Sequence, residues 1–339
     1  MIEPVLTGLD EPWGLAFLPG GGFVVTERAG RLTLVDAEGA QQAIGGVPQV
    51  VDQGQGGLLD VMIPRDFATS REVWLSYAAP SAGEAVSAVG KGRLSDDGTT
   101  LEGFTALYAS DPMPGGRHFG SRLVEGRDGS VFLTIGDRGT GPEGREAQDP
   151  ARAEGKVIRL ARDGAPHVLP GLRPGVYSSG HRNAQGATLD AQGNLWLVEH
   201  GAMGGDELNR VEAGRNYGWP IISYGVNYNG EVIGTGTDAP GMEQPVHFWD
   251  PSIAPSGLMI HSGTGIPQWQ GDVFTGSLKF DYISRLDPDT AYAEERIEAP
   301  ETARVRDVRE APDGTVWFLS VGQGAVYRMA PEGLADPGG

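Results

Sequence analysis

The sequence lacks cysteine, so neither disulfide bonds nor thiolate metal ligands contribute to its fold or its sites. It also lacks an apolar run of about 18 residues, so no segment is predicted to span a membrane. Basic residues are few: 26 Lys and Arg stand against 45 Asp and Glu, which gives a formal net charge of −19. Such an acidic surface repels phosphate backbones and anionic lipids, which argues against nucleic-acid binding and peripheral membrane binding.

A strand–turn–strand pattern recurs six times, whereas long amphipathic helices are hard to find. The six copies span residues 14–27, 58–77, 121–137, 187–200, 257–277 and 308–320. Their turns are 46 to 71 residues apart, and they lie at Gly20, Asp66, Gly129, Gly193, Thr264 and Gly314. Repeats of this length with several strands each are typical of propeller blades. We therefore predict an all-β fold, a six-bladed β-propeller with long inter-strand loops. The alternative is a β-sandwich with coincidental Asp-Gly turns.

The chain shows no internal domain boundary, so residues 1–330 are predicted to form a single propeller domain. The tail at 331–339 is predicted to be flexible. The start, Met1-Ile2-Glu3-Pro4, has neither the basic region nor the apolar core of a signal peptide. Because loops on a rigid scaffold usually carry function, we expect the chemistry of this chain in the loops between strands.

His118 is a candidate general base. It lies between glycines in the segment GGRHFG, just before the third repeat, and the pKa of histidine lies near neutrality. Asp137 ends the same repeat, where its carboxylate could hydrogen-bond the imidazole and fix its tautomer. A buried structural histidine is the alternative interpretation.

Arg182, Asn183 and Gln185 bring three planar hydrogen-bonding groups together within four residues. Such a set could grip a flat, oxygen-rich anion. A loop arginine that stabilises a turn is the alternative interpretation.

Three further cations stand out in a chain so rich in acids: Lys279, Arg304 and Arg306. Because alternate residues of a strand point the same way, Arg304 and Arg306 are expected to share a face. Two like charges in a buried channel are costly unless an anion lies between them, so the pattern suggests a polyanionic ligand. A solvated edge strand is the alternative.

The segment GAMGGDE at 201–207 is a candidate calcium loop. Its glycine-rich backbone offers carbonyl oxygens and its acids offer carboxylates, which are the ligands that calcium takes in irregular loops. The segment NYGWP at 216–220 could fold back to supply another carbonyl. EF-hand spacing is absent, and an ordinary acidic turn is the alternative.

Taken in order, these segments resemble the pyrroloquinoline quinone (PQQ)-dependent aldose sugar dehydrogenases, relatives of soluble quinoprotein glucose dehydrogenase. The resemblance covers roughly residues 3 to 330. It rests on QGGLLDV (55–61), HFG (118–120), GHRNAQG (180–186), EHGAMGGDELN (199–209), NYGWP (216–220), WDPSIAPSG (249–257), GSLK (276–279) and RVRDV (304–308). Each motif is modest, but their shared order is highly specific.

The resemblance implies a PQQ cofactor in the central cleft and two calcium ions, one at the cofactor and one structural. The residues implied to hold PQQ are Gln55, Asn183, Gln185, Ser252, Lys279, Arg304 and Arg306. The carbonyls of Gly201 and Ala202 would bind the calcium at the cofactor. Glu207 and the Tyr217 carbonyl would help to hold the structural calcium.

The implied reaction is oxidation of the C1 hydroxyl of an aldose to a lactone. His118 would take the hydroxyl proton while hydride passes to C5 of PQQ, Asp137 would orient His118, and Arg182 and calcium would stabilise the growing negative charge. Relatives usually carry proline where this chain has Ala184 and Ala202. Arg117 stands where the glucose dehydrogenase branch carries an acid, which favours the aldose branch.

Two other functions stay open at this point: a calcium-dependent six-bladed propeller lactonase and a non-catalytic propeller that binds a partner. The first would need metal-binding carboxylates that converge on the channel. By resemblance, the expected location is periplasmic or secreted, and the expected partners are an aldose and an electron acceptor that the sequence does not identify. The chain is expected to be a monomer or a homodimer. The segment at 224–244 has no assigned role.

Overall fold

The structure, a computed structural model, describes residues 1–330; the tail predicted to be flexible, 331–339, lies outside the described residues. In the described part, 24 strands form six four-stranded sheets. The innermost strand of each sheet contacts the innermost strand of the next, and these contacts close into a ring. This architecture confirms the predicted six-bladed β-propeller and overturns the sandwich alternative.

The strands of the first three blades follow one another along the chain. The first strand of the chain is β1 (Ile2–Thr7). Blade 1 contains β2 (Pro12–Phe17), β3 (Phe23–Glu27), β4 (Arg31–Val35) and β5 (Gln41–Ala43). Blade 2 contains β6 (Leu58–Met62), β7 (Glu72–Ser81), β8 (Glu84–Leu94) and β9 (Leu101–Ala109). Blade 3 contains β10 (Leu123–Glu125), β11 (Val131–Ile135), β12 (Lys156–Leu160) and β13 (Val176–Ser179).

The remaining blades keep the same order. Blade 4 contains β14 (Ala184–Leu189), β15 (Leu195–Glu199), β16 (Asp206–Val211) and β17 (His247–Trp249). Blade 5 contains β18 (Pro255–Ile260), β19 (Val273–Ser277), β20 (Tyr282–Asp287) and β21 (Ala293–Glu298). Blade 6 contains β22 (Val305–Glu310), β23 (Val316–Ser320) and β24 (Ala325–Met329), together with β1. The described helices are short: α1 (Phe67–Ser70) and the 3₁₀ turns Pro267–Trp269, Pro288–Thr290 and Pro300–Thr302.

Each strand–turn–strand copy found in the sequence forms the two inner strands of one blade. The sequence did not reveal how the ring closes. Strand β1 pairs antiparallel with β24, so the beginning of the chain supplies the outermost strand of blade 6. The amino group of Met1 also donates to the carbonyl of Ala330 at 2.8 Å. Both ends of the described chain are thus held in one sheet.

The hydrophobic core lies between neighbouring blades. Trp74 of β7 is fully buried and packs with Leu133 and Ile158 of the next blade. Burial of each such side chain stabilises the fold by about 1.5–3 kcal/mol. The core therefore fixes the angle between blades, and with it the position of the loops at the end of the ring.

The centre of the ring holds buried ion pairs. The guanidinium of Arg122 lies 3.3 Å from Asp60 and 3.1 Å from Asp307, and Arg309 contacts the same two carboxylates at 3.0 and 2.9 Å. Burial raises the pKa of Asp60, and the two arginines oppose this shift. Arg122 also donates to the carbonyl of Gln185 at 2.6 Å. These ion pairs join several blades below the cavity described next.

Among residues 1–330, no helix has the length and apolarity needed to cross a membrane.

Candidate active site

A central cavity of about 520 Å³ opens at one end of the ring. The segments that enter the innermost strands, and the loops that follow the second strands, all meet at this end. The cavity is lined by eleven of the fourteen predicted site residues: Gln55, His118, Arg182, Asn183, Gln185, Gly201, Ala202, Ser252, Lys279, Arg304 and Arg306. The volume is in the range of small-molecule sites. These eleven residues lie in or next to the strands of blades 2 to 6, and the cavity brings them into one site.

His118 and Asp137 form the pair that the sequence suggested. His118 Nδ1 lies 2.6 Å from Asp137 Oδ1, and only 9% of His118 is exposed. The backbone of His118 is left-handed, with φ at 52°, and its N–H donates to Gln55 Oε1 at 2.7 Å. Gly136 packs so closely that a Cβ there would lie 2.2 Å from the His118 carbonyl oxygen. The imidazole is thus fixed by backbone packing as well as by the carboxylate.

The protonation state of His118 suits a base. Burial lowers the pKa of His118; the hydrogen bond that Nδ1 donates to Asp137 opposes this shift, and the positive charges of Arg182 and Arg117 lower the pKa further. The ring is therefore neutral at neutral pH. Because Nδ1 faces the carboxylate and carries the proton, Nε2 keeps its lone pair. A hydroxyl placed at Nε2 could transfer its proton there.

Four of the cations that line the same cavity have no carboxylate partner in the described part of the chain. Arg182, Lys279, Arg304 and Arg306 form no salt bridge within the part of the chain that the structure describes. The Nε of Arg182 is buried without a hydrogen-bond partner among those residues. Burial, with Arg122 and Arg304 nearby, lowers the pKa of Arg306 to about 9, so Arg306 still carries its charge at neutral pH. An anionic ligand would compensate this excess of positive charge.

The reason given from the sequence for pairing Arg304 with Arg306 was wrong. Strand β22 begins at Val305, and Arg304 precedes it with a left-handed backbone, φ at 55°. The register also shifts between Val305 and Asp307, where a bulge interrupts strand alternation. Both arginines still line the cavity. The loop and the bulge direct them there, and the alternation of side chains along a strand does not.

The polar side chains between the cations form a chain of hydrogen bonds. Arg306 Nη1 donates to Gln185 Oε1 at 2.8 Å, and Gln185 Nε2 donates to Asn183 Oδ1 at 3.2 Å. Ser252 Oγ lies 2.8 Å from both carboxylate oxygens of Asp206, which leaves its lone pairs as acceptors. The amide and hydroxyl groups are therefore held in place before any ligand enters.

Glu207 and Tyr217 lie outside the cavity, in a small neighbouring pocket that shares Arg182 and Gly201 with it. Asn209 Nδ2 donates to Glu207 Oε2 at 3.0 Å and to Glu199 Oε1 at 3.1 Å, so the two carboxylates lie close together. Burial, and then the charge of Glu199, raise the pKa of Glu207 to about 8. Among the described residues, no cluster of three or more His, Asp or Glu could hold a metal ion by itself.

Glu199 also belongs to an arrangement that resembles a nucleophilic triad. Ser178 Oγ lies 2.8 Å from His181 Nε2, and His181 Nδ1 lies 2.9 Å from Glu199 Oε1. Ser178 and His181 are completely buried, so no substrate reaches the hydroxyl. Instead, Glu199 accepts the backbone N–H of Arg182 at 2.7 Å. The arrangement fixes the segment that carries Arg182.

Sequence reasoning missed several residues at the site. Trp13 and Arg28 line the cavity, and no local motif indicated them. His200 also lines it; burial, with Arg182, lowers its pKa to about 3, so it stays neutral. Its position within EHGAMGGDELN was the available signal. Tyr228, from the segment without an assigned role, reaches the cavity mouth with its hydroxyl 3.5 Å from Arg182 Nη2.

The geometry defines a six-bladed propeller with a cationic central cavity and a neutral histidine at its wall. The chain matches the Glucose / Sorbosone dehydrogenase family over residues 9–328, and it belongs to that family. It is 39% identical to the aldose sugar dehydrogenase YliI of Escherichia coli K12 over 346 residues, which cover 97% of this chain and 92% of the relative.

Solved structures agree with this assignment. One, described as a glucose dehydrogenase, superposes with a TM-score of 0.93 at 40% identity and covers 98% of this chain and 100% of its own. The PQQ-bound form of an aldose sugar dehydrogenase from Streptomyces coelicolor superposes with a TM-score of 0.78 at 28% identity, with 97% of each chain covered. The comparisons confirm the resemblance seen in the sequence and the predicted enzyme class, a quinoprotein sugar dehydrogenase.

Proposed function

We propose that the protein is a PQQ- and calcium-dependent dehydrogenase that oxidises the C1 hydroxyl of aldoses to lactones. One observation carries the proposal: four cations that have no carboxylate partner among residues 1–330 share a cavity with a neutral histidine. The family assignment and the PQQ-bound relative support it.

The residues present fit a flat tricarboxylate. Lys279, Arg304 and Arg306 would neutralise its carboxylates. The buried Nε of Arg182 has no hydrogen-bond partner among residues 1–330, and the bound anion would supply one. The side chains that would add polar contacts are Gln55, Asn183, Gln185 and Ser252. Charge-assisted hydrogen bonds of this kind are shorter and roughly twice as strong as neutral ones.

When bound, PQQ would supply the two-electron oxidation by accepting hydride at C5. His118 would accept the C1 hydroxyl proton at Nε2, while Asp137 holds the tautomer in which Nδ1 carries its proton. Arg182 would provide a fixed positive charge where negative charge develops during the reaction.

Calcium fits two places. The backbone of Gly201 and Ala202 lines the cavity wall, where carbonyl oxygens would hold a calcium at the cofactor. Glu207 and the Tyr217 carbonyl would hold a structural calcium in the neighbouring pocket. The support for this second site is electrostatic: Glu207 and Glu199 face each other in a buried place, and a cation would relieve their repulsion.

The two alternative functions have less support. Among the described residues that line the cavity, the only carboxylate is that of Glu11, which pairs with Arg28 at 2.9 Å. A lactonase would need several carboxylates that converge on the channel. A non-catalytic binding module gives no reason for the His118–Asp137 pair. We also propose that residues 1–330 form one domain and that the protein acts in the periplasm or outside the cell, as a monomer or a homodimer.

The experiment is reconstitution of cofactor-free protein with PQQ and calcium, followed by dye reduction over a panel of aldoses. We expect dye reduction only when protein, PQQ, calcium and an aldose are all present. Protein that shows neither a PQQ-dependent spectral change nor dye reduction with any sugar would contradict the proposal.

A further inference from the structure

A second cavity, called the side pocket here, has a volume of about 480 Å³ and lies between blades 4 and 5. It shares a wall with the central cavity. Along that wall, Ser252 and Ala254 line the central cavity, whereas Ile253 lines the side pocket. In the same way, Lys279 lines the central cavity and Phe280 lines the side pocket. One layer of backbone therefore separates the two.

The side pocket is aromatic. Of the ten phenylalanines, only Phe248 and Phe280 are exposed, at 43% and 44%, and both line this pocket. Buried Trp249 and Tyr282 also line it. The ring of Phe248 stacks on Tyr224 at 4.2 Å, which holds it in place. Exposed aromatic side chains gathered in a concave site indicate a ligand with a planar apolar face.

The side pocket is also negatively charged. Asp250 and Glu298 line it without a salt bridge to any of residues 1–330, while Glu294 pairs with Arg296 at 2.9 Å. Burial lowers the pKa of His247, so this ring adds no charge at neutral pH. Three carboxylates and one guanidinium leave a net negative charge. The central cavity across the wall has the opposite sign.

We propose that the side pocket docks a small aromatic cation that serves as electron acceptor for the sugar oxidation, an inference that rests on the proposed function. The two neighbouring cavities differ in side-chain charge: the cations of the central cavity favour an anion, and the carboxylates of the side pocket attract a cation. Aromatic faces add cation–π attraction, although Lys279 already occupies one face of Phe280 at 4.9 Å.

The electrons balance with such an acceptor. Oxidation of an aldose to a lactone releases two electrons and two protons. An N-alkylphenazinium cation takes up two electrons and one proton to give its neutral dihydro form, and the second proton passes to solvent. Loss of the positive charge on reduction would also weaken its attraction to Asp250 and Glu298, which favours release.

The first test measures binding of N-methylphenazinium to cofactor-free protein by equilibrium dialysis. Phe248→Ala and Glu298→Gln are expected to weaken binding about 3- to 10-fold each. The controls make the same kind of change elsewhere on the surface: Val168→Ala removes exposed apolar surface and Glu38→Gln removes an exposed charge. Equal affinity in all five proteins, or a side pocket that takes a neutral saccharide and not the dye, would overturn the proposal.

The second test uses the reconstituted enzyme. Phe248→Ala and Glu298→Gln are expected to raise the KM for N-methylphenazinium and to leave the KM for sugar, the PQQ affinity and the rate with anionic ferricyanide unchanged. Equal effects with both acceptors would overturn the docking site while the proposed function stands. Absence of sugar oxidation with either acceptor would instead contradict the proposed function, and the dialysis result would still decide whether the side pocket binds the cation.

Discussion

Trp219 holds the carboxylate of Asp137: its indole Nε1 donates to Oδ2 at 2.8 Å, while Oδ1 of the same carboxylate lies 2.6 Å from His118 Nδ1. Trp219 follows β16 in blade 4, whereas Asp137 follows β11 in blade 3. The guanidinium of Arg182 lies 5.2 Å from the centre of the same indole. One side chain therefore connects the histidine pair to a cavity cation across a blade boundary.

The first prediction concerns this indole. Trp219→Phe leaves Asp137 Oδ2 buried without its donor, which is expected to cost about 1–3 kcal/mol of unfolding free energy. Turnover is expected to fall as well, because the carboxylate no longer holds His118 in one orientation. Trp317→Phe is the control, since its Nε1 bonds the hydroxyl of Thr315 in blade 6 at 3.0 Å. Urea unfolding and steady-state kinetics check both effects; a Trp219→Phe protein as active as wild type would contradict the assigned role.

The second prediction concerns the base. His118→Ala is expected to keep PQQ affinity and to lower turnover about 10²–10⁴-fold, the usual contribution of a general base. The control is His167→Ala, because His167 is exposed on the surface. Reconstitution followed by parallel measurements of PQQ affinity and turnover checks whether turnover falls while affinity is kept. If His118→Ala turned over sugar normally, His118 would have no part in the chemistry.

The third prediction concerns pH. The neutral form of His118 is the base, and burial holds its pKa below the ordinary 6.5, so activity should persist into mildly acid solution and fall only as pH drops through the lowered pKa. Arg117 is exposed and contributes to that lowering. Arg117→Ala removes a positive charge, so the pKa rises and the acid limb of kcat/KM moves to higher pH. In about 1 M salt the difference in pH profile between Arg117→Ala and wild type should shrink, because the Debye length falls to about 3 Å. A limb that moves to lower pH would contradict this account.

The fourth prediction concerns the structural calcium. Without calcium, Glu207 has its pKa raised to about 8 from 4.5, so its folded form binds a proton that the unfolded form releases. Stability of calcium-free protein should therefore be highest below about pH 4.5 on this account and decrease as pH rises through about 8. Calcium should restore stability at high pH. In Glu207→Gln, the loss of stability with rising pH and the stabilisation by calcium should both lack the contribution of Glu207. Thermal unfolding with and without a chelator checks it; a calcium effect unchanged in Glu207→Gln would place the ion elsewhere.

Most of the fold could be predicted from sequence because each blade repeats a local signal. Two apolar runs around a glycine turn mark the inner strands, which are buried on both sides by neighbouring blades. The outer strands carry a weaker signal: β5 is exposed throughout, and β1 closes the ring with β24 from the other end of the chain. Pairing between distant segments leaves no local pattern.

The site was predictable where chemistry concentrates within a few residues. Arg182, Asn183 and Gln185 are neighbours in sequence and stay neighbours in the cavity. Trp219 and Tyr228 were not predictable, because their contacts depend on how long loops fold back over other blades. Strand periodicity could not predict the position of Arg304 either, because that position depends on a positive φ and a neighbouring bulge.

The central claim is that scattered cations hold one tricarboxylate cofactor beside His118. The most direct measurement is titration of calcium-loaded, cofactor-free protein with PQQ, followed by tryptophan fluorescence, because Trp13 lines the cavity. We predict saturable binding of one PQQ, weakened about tenfold in Lys279→Met, as expected for loss of about 1.4 kcal/mol. Arg93→Met, which removes an exposed cation on strand β8 of blade 2, should bind like wild type. No saturable binding, or equal affinity in Lys279→Met and wild type, would contradict the claim.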